Sequence, residues 1–97
     1  MESLFSLAMR VVRDLSHASD ADVDALKSML RSYSAVDETL GPLRLYPAIR
    51  TTASSVSFGV NTSGISGADF WLTVTSDDTV LYSDGMDECD IPLVTSA

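Results

Sequence analysis

The chain has 97 residues, a formal net charge of −8 and a mean hydropathy of +0.17. Its hydrophobic content of 45% is typical of a folded globular protein and argues against intrinsic disorder. No apolar run reaches the roughly 18 residues that a membrane-spanning helix needs. The length fits one domain over residues 1–97, large enough to bury a core without covalent staples.

The cysteine count and the first residues of the chain indicate the cellular compartment. Cys89 is the single cysteine, so the chain cannot form an internal disulfide, and this fits a reducing compartment. The first 15 residues lack a basic leader region and carry Glu2, Arg10 and Asp14, which is typical of an amphipathic helix and not of a signal peptide. We therefore expect a protein of the cytoplasm or of a virion, not one secreted by a signal peptide.

Charge is distributed unevenly between the two halves of the chain. Residues 1–50 contain all six basic side chains and seven acidic ones, whereas residues 51–97 contain seven acidic residues and no Lys or Arg. Phosphate contacts require Lys or Arg, so we expect no direct nucleic-acid binding by residues 51–97. A basic partner would suit this half, although the same composition could reflect a high-salt habitat.

Apolar residues recur at spacings of three and four over residues 2–15, which predicts a first helix. Phe5 and Met9 widen its apolar face, so the helix is expected to be covered on more than one side.

A second helix is predicted over about residues 20–33. Ser19 has the chemistry of an N-cap, and Asp22 follows three residues later as a variant of the capping box. The two helices should form an antiparallel hairpin over residues 1–34.

Strand signals fill the rest of the chain, over residues 43–95. A short strand is predicted at 43–46, which Pro47 confines to a sheet edge or ends. Alternation predicts a second strand over 54–60, and a last strand is expected at about 91–95.

The clearest pattern lies in residues 69–84, where period-two alternation continues on both sides of a polar turn. Directly opposed residues of a hairpin point to the same face. The loop should therefore set Val74 against Val80 and Leu72 against Tyr82. The predicted fold class is α+β, with an N-terminal helical hairpin packed on a four- to five-stranded antiparallel meander.

Residues that could support catalysis are few. His17 is the only histidine, and no nucleophile-elbow sequence surrounds any serine. Cys89 lies among acidic residues that disfavour its thiolate. One Cys and one His cannot make a zinc site, and no glycine-rich phosphate loop is present. We therefore predict a protein that is not an enzyme and uses no cofactor and no metal.

Acidic residues are concentrated in two stretches near the predicted turns. Four carboxylates between residues 84 and 90 could attract a hard cation, but the EF-hand spacing is absent and an acidic surface turn is the simpler interpretation. Whether that turn binds a cation stays open. The predicted acidic surface comprises Asp69, Asp77, Asp78, Asp84, Asp87, Glu88 and Asp90.

Trp71 is the most suggestive single residue. Its parity is opposite to that of the inward-facing Leu72 and Val74, so it should face away from the helices. It would then be either core beneath a second cover or an aromatic anchor in a protein interface, where Trp is enriched. The predicted interface residues are Trp71, Leu81, Thr73, Phe5 and Met9.

Two functions are compatible with this sequence. The first is a non-enzymatic structural or assembly protein that acts through protein–protein contacts, as a homo-oligomer or as a small subunit of a larger particle such as a phage or virus virion. The second is an acidic inhibitor or immunity-type protein that blocks a basic, nucleic-acid-binding target.

Overall fold

The computed structural model describes residues 2–36, 42–64, 66–84 and 91–94. It contains two α-helices followed by one antiparallel sheet, whose strand order β1-β2-β3-β4-β5 is also the chain order. The helices are α1 (Leu4–Val12) and α2 (Asp20–Leu30), and the strands are β1 (Arg44–Thr51), β2 (Ser55–Asn61), β3 (Phe70–Thr75), β4 (Val80–Ser83) and β5 (Ile91–Pro92). The predicted α+β class and the N-terminal helical hairpin are confirmed.

The start of α1 is held by two side-chain acceptors. The hydroxyl of Ser3 accepts a hydrogen bond from the backbone N–H of Ser6 at 3.1 Å. The carboxylate of Asp78 accepts one from the backbone N–H of Phe5 at 2.9 Å. First-turn N–H groups have no partner within a helix, so both bonds stabilise this end. The contact with Asp78 also fixes the start of α1 against the turn between β3 and β4.

The first helix ends earlier than predicted. Asp14 has left the helical backbone, with φ −142° and ψ 73°, and Leu15–His17 form a single 3-10 turn. The Asp14 carboxylate accepts a hydrogen bond from the Ser16 hydroxyl at 3.1 Å. Short polar side chains that bond locally in this way compete with continued helix.

The second helix begins where the sequence predicts. The hydroxyl of Ser19 accepts a hydrogen bond from the backbone N–H of Asp22 at 3.2 Å, which confirms the N-cap. Arg10 of α1 donates to the Asp22 carboxylate at 3.0 Å and also to Glu2, so it ties the two helices together at this end. The helix ends at Leu30 and not at Tyr33.

The β3–β4 hairpin has the predicted register. Val74 pairs with Val80 and Leu72 pairs with Tyr82. Five residues connect Val74 to Val80. The rings of Phe70 and Tyr82 are 5.2 Å apart, a separation typical of a packed aromatic pair.

The first strand is longer than predicted, because it runs through Pro47. β1 is an edge strand, and its pairing with β2 shifts register between Leu45 and Ala48 and again between Ala48 and Arg50. Proline cannot donate to a ladder but is tolerated at a bulge on an edge strand. The prediction that Pro47 limits the strand to an edge is confirmed, and the predicted end at Tyr46 is wrong.

The core lies between α1 and the sheet. The buried apolar side chains include Leu7 and Val11 of α1, Leu26 of α2, and Phe58 and Leu72 of the sheet. α1 lies across β1, β2 and β3, and α2 packs on α1. Within the described residues, no helix combines the length and apolar character needed to cross a membrane.

Candidate functional site

The sheet has one face covered by α1 and one that points away from it. Along β3 the pattern is strict: Leu72 and Val74 are fully buried, whereas Trp71 and Thr73 are half-buried. We call the side opposite α1 the outer face. By parity and pairing its side chains include Arg50, Ser55, Ser57, Trp71, Thr73, Thr75, Leu81 and Ser83, and the Cβ of Tyr46 lies beside Gly59 on the same face.

The strand register brings four of these side chains into one row. Arg50 lies opposite Ser57, Ser57 opposite Thr73, and Thr73 opposite Leu81. The hydroxyl oxygens of Ser57 and Thr73 are 2.7 Å apart, a hydrogen-bonding distance. The middle of the outer face is therefore polar, with a guanidinium on one side and an apolar side chain on the other.

Trp71 packs across Gly59 on the neighbouring strand. A Cβ at Gly59 would lie 3.7 Å from the indole nitrogen of Trp71, 2.9 Å from the Cβ of Ala68 and 3.2 Å from the Cβ of Tyr46. The Tyr46 hydroxyl accepts a hydrogen bond from the backbone N–H of Gly67 at 3.1 Å. Trp71 thus faces away from the helices, as predicted from parity, but these neighbours cover part of it.

Beside the central row, the outer face forms an open depression of about 560 Å³. Its lining is dominated by hydroxyl groups and includes one cation and one carboxylate: Arg50, Ser54, Ser55, Thr73, Thr75, Ser76, Asp77, Thr79 and Leu81. The described residues show no ion pair between Arg50 and Asp77 across it. The depression can accept a side chain that donates several hydrogen bonds.

The connection between β2 and β3 is organised by two side chains. The Asn61 amide accepts from the backbone N–H of Gly64 at 3.0 Å and donates to the carbonyl of Gly67. The Asp69 carboxylate accepts from the backbone N–H groups of Thr62 at 2.8 Å and Ser63 at 3.0 Å. These bonds, led by the one from Thr62, lower the pKa of Asp69.

Two predicted acidic surface residues have definite roles in the β3–β4 turn. The Asp77 carboxylate accepts hydrogen bonds from the Thr75 hydroxyl and from the backbone N–H of Thr79, and the first of these contributes most to lowering its pKa. Asp78 adopts a positive φ of 66° and caps α1 through Phe5. Turn chemistry therefore accounts for both residues, as it does for Asp69.

The predicted interface residues lie on two different sides of the molecule. Trp71, Thr73 and Leu81 share the outer face. Phe5 and Met9 are partly buried on α1 and pack against the core from the opposite side of the sheet. The five residues do not form one surface.

The predicted acidic surface is only partly described. Asp84 is exposed at the end of β4. Asp87, Glu88 and Asp90 lie outside the described residues, as does Cys89. Among the described residues, no group of three or more His, Cys, Asp or Glu side chains is arranged to hold a metal ion.

Two outer-face residues of β1, Tyr46 and Arg50, were missed from the sequence. The register shifts in β1 hide the parity of Arg50, because alternation cannot be followed across a bulge. The alternation over residues 54–60 does place Ser57 on the side opposite Val56 and Phe58, and the structure has it there.

His17 lies in a small polar cluster with Asp14 and Ser16. The Asp14 carboxylate is 2.9 Å from Nδ1 of His17, and the Ser16 hydroxyl is 3.3 Å from the same nitrogen. A catalytic triad needs the carboxylate and the nucleophile on different ring nitrogens, so this cluster does not have that geometry. The hydrogen bond with Asp14 raises the pKa of His17.

Comparison of the chain with known protein families, with characterised proteins and with solved structures gave no match. The assignment of a function therefore depends on the geometry and charges of the described residues.

Proposed function

We propose that this chain is a non-enzymatic structural or assembly protein that binds another protein chain through its outer face. It would act as a homo-oligomer or as a small subunit of a larger particle, such as a phage or virus virion. The observation that carries this proposal is the division of the sheet into a helix-covered face and an outer face that presents Trp71, Thr73 and Leu81 together.

The two edges of the sheet are less suited to partner binding than its outer face. β1 contains Pro47 and two register shifts and carries Arg44 and Arg50, whereas β5 is two residues long and ends in Pro92. Prolines, bulges, charges and short strands all discourage pairing with a strand of another chain. This leaves the outer face as the part of the sheet available for a broad contact.

The chemistry of the outer face also suits a protein contact. An aromatic side chain lies at one end, an apolar side chain on β4, and hydroxyl groups between them. Tryptophan is enriched among the residues that dominate binding energy, and a polar surround is typical of non-obligate interfaces.

The test is affinity purification from the native source with three forms of the chain: the wild type, Thr73→Arg and Ser28→Arg. Thr73 is at the centre of the outer face, whereas Ser28 is exposed on α2, so the control introduces the same side chain elsewhere. We expect the wild type and Ser28→Arg to retain a specific protein partner or a second copy. Thr73→Arg should reduce this retention by ~10-fold or more, equivalent to ~1.4 kcal/mol of binding energy.

Circular dichroism should show that all three forms fold alike. Retention by Thr73→Arg equal to that of the wild type would exclude the outer face, and a wild type that binds no protein and stays monomeric would contradict the proposal as a whole.

The acidic-inhibitor function is the alternative. It draws on the seven acidic residues and absence of Lys and Arg in residues 51–97. Three of those seven, Asp69, Asp77 and Asp78, make hydrogen bonds in turns or at a helix start, which supplies a local reason for them. An inhibitor of this kind should bind a basic target with an affinity that falls steeply as salt rises, and a flat salt response would exclude it.

A further inference from the structure

We propose that the chain which covers the outer face is a second copy of this protein, packed face to face about a twofold axis. Arg50 of each copy would enter the depression of the other and pair with its Asp77. This inference rests on the proposed function and names the partner for the same surface.

The position of Arg50 is the first observation that supports this dimer. Arg50 is exposed on the edge strand, lines the depression, and has no ion-pair partner among the described residues. A guanidinium carries five N–H donors in a rigid planar arrangement and binds best where several oxygen acceptors converge. The side chain is therefore available for a contact outside its own chain.

The depression supplies the matching acceptors. Its lining has hydroxyl oxygens from Ser55, Thr73, Thr75 and Thr79, and the carboxylate of Asp77. Arg50 lines it from β1, whereas Asp77 lines it from the turn between β3 and β4, and β1 and β3 are separated in the sheet by β2. One cation and one anion thus flank a single polar hollow without neutralising each other.

In a twofold dimer, the contact between Arg50 of one copy and Asp77 of the other forms twice. In such an interface the same patch meets itself, so that if Arg50 contacts Asp77 of the second copy, the reverse contact also forms. A cation and an anion placed apart on one patch are complementary to a rotated copy of that patch. This self-complementarity favours a second copy over an unrelated chain.

The area of the outer face sets the affinity that we expect for the dimer. Four strands spaced ~4.8 Å apart, with ~6 residues each at a rise of ~3.3 Å, give a flat footprint on the order of 400 Å² per copy. This is about half of the ~800 Å² per partner that a standard specific interface buries, and the net charge of −8 also opposes self-association. We therefore expect a weak dimer, with a Kd of about 1–100 μM.

The experiment is sedimentation equilibrium on the purified chain over a concentration series up to about 1 mM. The wild type should pass from monomer to dimer. Arg50→Glu should raise the Kd by ~10-fold or more because it places two carboxylates together, whereas Arg13→Glu, a charge reversal at the end of α1, should leave the Kd unchanged.

Two variants of Asp77 complete the design. Asp77→Asn keeps a side-chain acceptor for the Thr79 backbone and removes the charge, so it should weaken the dimer without opening the turn. Asp77→Lys reverses the charge and should not dimerise alone. Mixed with Arg50→Glu, it should form a heterodimer, because both cross-pairs then have opposite charges. If Asp77→Lys does not fold, the comparison of Arg50→Glu, Asp77→Asn and Arg13→Glu still decides the question.

A wild type that is monomeric at about 1 mM would overturn this inference, as would an Arg50→Glu variant that dimerises like the wild type. If the wild type is monomeric but Thr73→Arg abolishes retention of a different protein, the second copy is excluded and the proposed function stands. If neither self-association nor any Thr73-dependent partner is found, both proposals fail.

Discussion

The outer face has no room for a side chain at Gly59. A methyl group there would lie 2.9 Å from the Cβ of Ala68 and 3.2 Å from that of Tyr46. Atoms this close force a backbone shift, because neither Cβ can rotate away. The packing of Trp71 over this strand therefore depends on glycine.

We expect Gly59→Ala to lower the free energy of unfolding by about 1–3 kcal/mol, the usual cost of overpacking a well-packed site. Urea denaturation measures it. The double variant Gly59→Ala with Ala68→Gly removes the shortest contact and should recover part of the loss. A single variant as stable as the wild type would show that the outer face is not packed as described.

Asp78 joins the sheet to the first helix. Its carboxylate accepts the hydrogen bond of the Phe5 N–H, and its backbone has a positive φ of 66°. Asn and Asp tolerate that conformation better than most residues and can also accept the bond.

Asp78→Ala should therefore cost about 1 kcal/mol or more of stability, because it removes a helix-capping acceptor and keeps the backbone strain. Asp78→Asn should retain most of the stability. Equal stability of Asp78→Ala and the wild type in thermal denaturation would contradict the role of this side chain at the start of α1.

His17 gives a residue-scale prediction for pH. Its hydrogen bond to Asp14 raises its pKa above the ordinary 6.5. A group with a raised folded-state pKa contributes stability below its unfolded pKa, and this contribution disappears as the pH rises through the folded value. The cluster is exposed, so the effect is best measured at the residue and not through global stability.

An NMR titration of the His17 ring should give a pKa above 6.5 in the wild type and a lower value in Asp14→Asn. The same value in both forms would show that the Asp14 carboxylate does not hold the ring.

At the scale of elements, the start of α2 offers a direct test. The Ser19 hydroxyl accepts a hydrogen bond from the Asp22 N–H, one of the first-turn donors. Ser19→Ala should cost about 1 kcal/mol, while Ser19→Asn, another good N-cap, should be close to neutral. Chemical denaturation of the three forms checks this, and a Ser19→Asn loss as large as that of Ser19→Ala would argue against capping as the cause.

Elements with unbroken periodicity were predictable from the sequence. The β3–β4 register follows from parity together with the short polar turn, because Val74, Val80, Leu72 and Tyr82 share one face and the turn limits how far the strands can slip. β1 was not predictable to its end at Thr51, because its register shifts interrupt the alternation that identifies a strand.

The ends of the helices depend on local bonds that the periodicity does not contain. Leu15 has the spacing of a helical residue, yet the Asp14 side chain bonds to Ser16 and His17, and the chain turns there. α2 ends at Leu30, although apolar residues continue at helical spacing as far as Tyr33. Competing local hydrogen bonds of this kind decide boundaries more than hydrophobic pattern does.

The candidate site was predictable only in part, for a physical reason. Parity places Trp71, Thr73 and Leu81 on one face from the hairpin alone. Arg50 and Gly59 reach that face through pairings between β1, β2 and β3, and the connection from residue 62 to residue 69 does not fix such a register by its length. Long-range pairing is set by the packed core, which the local sequence does not describe.

At the scale of the whole molecule, the acidic residues of positions 51–97 act both locally and through their summed charge. Asp69, Asp77 and Asp78 are explained by bonds within turns and at a helix start. Together, the seven acidic residues of positions 51–97, with no Lys or Arg among them, give this half of the chain a negative field. A field of this kind keeps copies soluble and makes any self-contact depend on a locally balanced patch.

The central claim is that the outer face contacts another protein chain. A photoreactive amino acid placed at position 73 tests it most directly, with position 28 on α2 as the control, under the conditions in which the protein assembles. We expect cross-linking from position 73 to a second copy or to a partner protein, and little from position 28. No cross-linked protein from position 73, or equal yields from both positions, would contradict the claim.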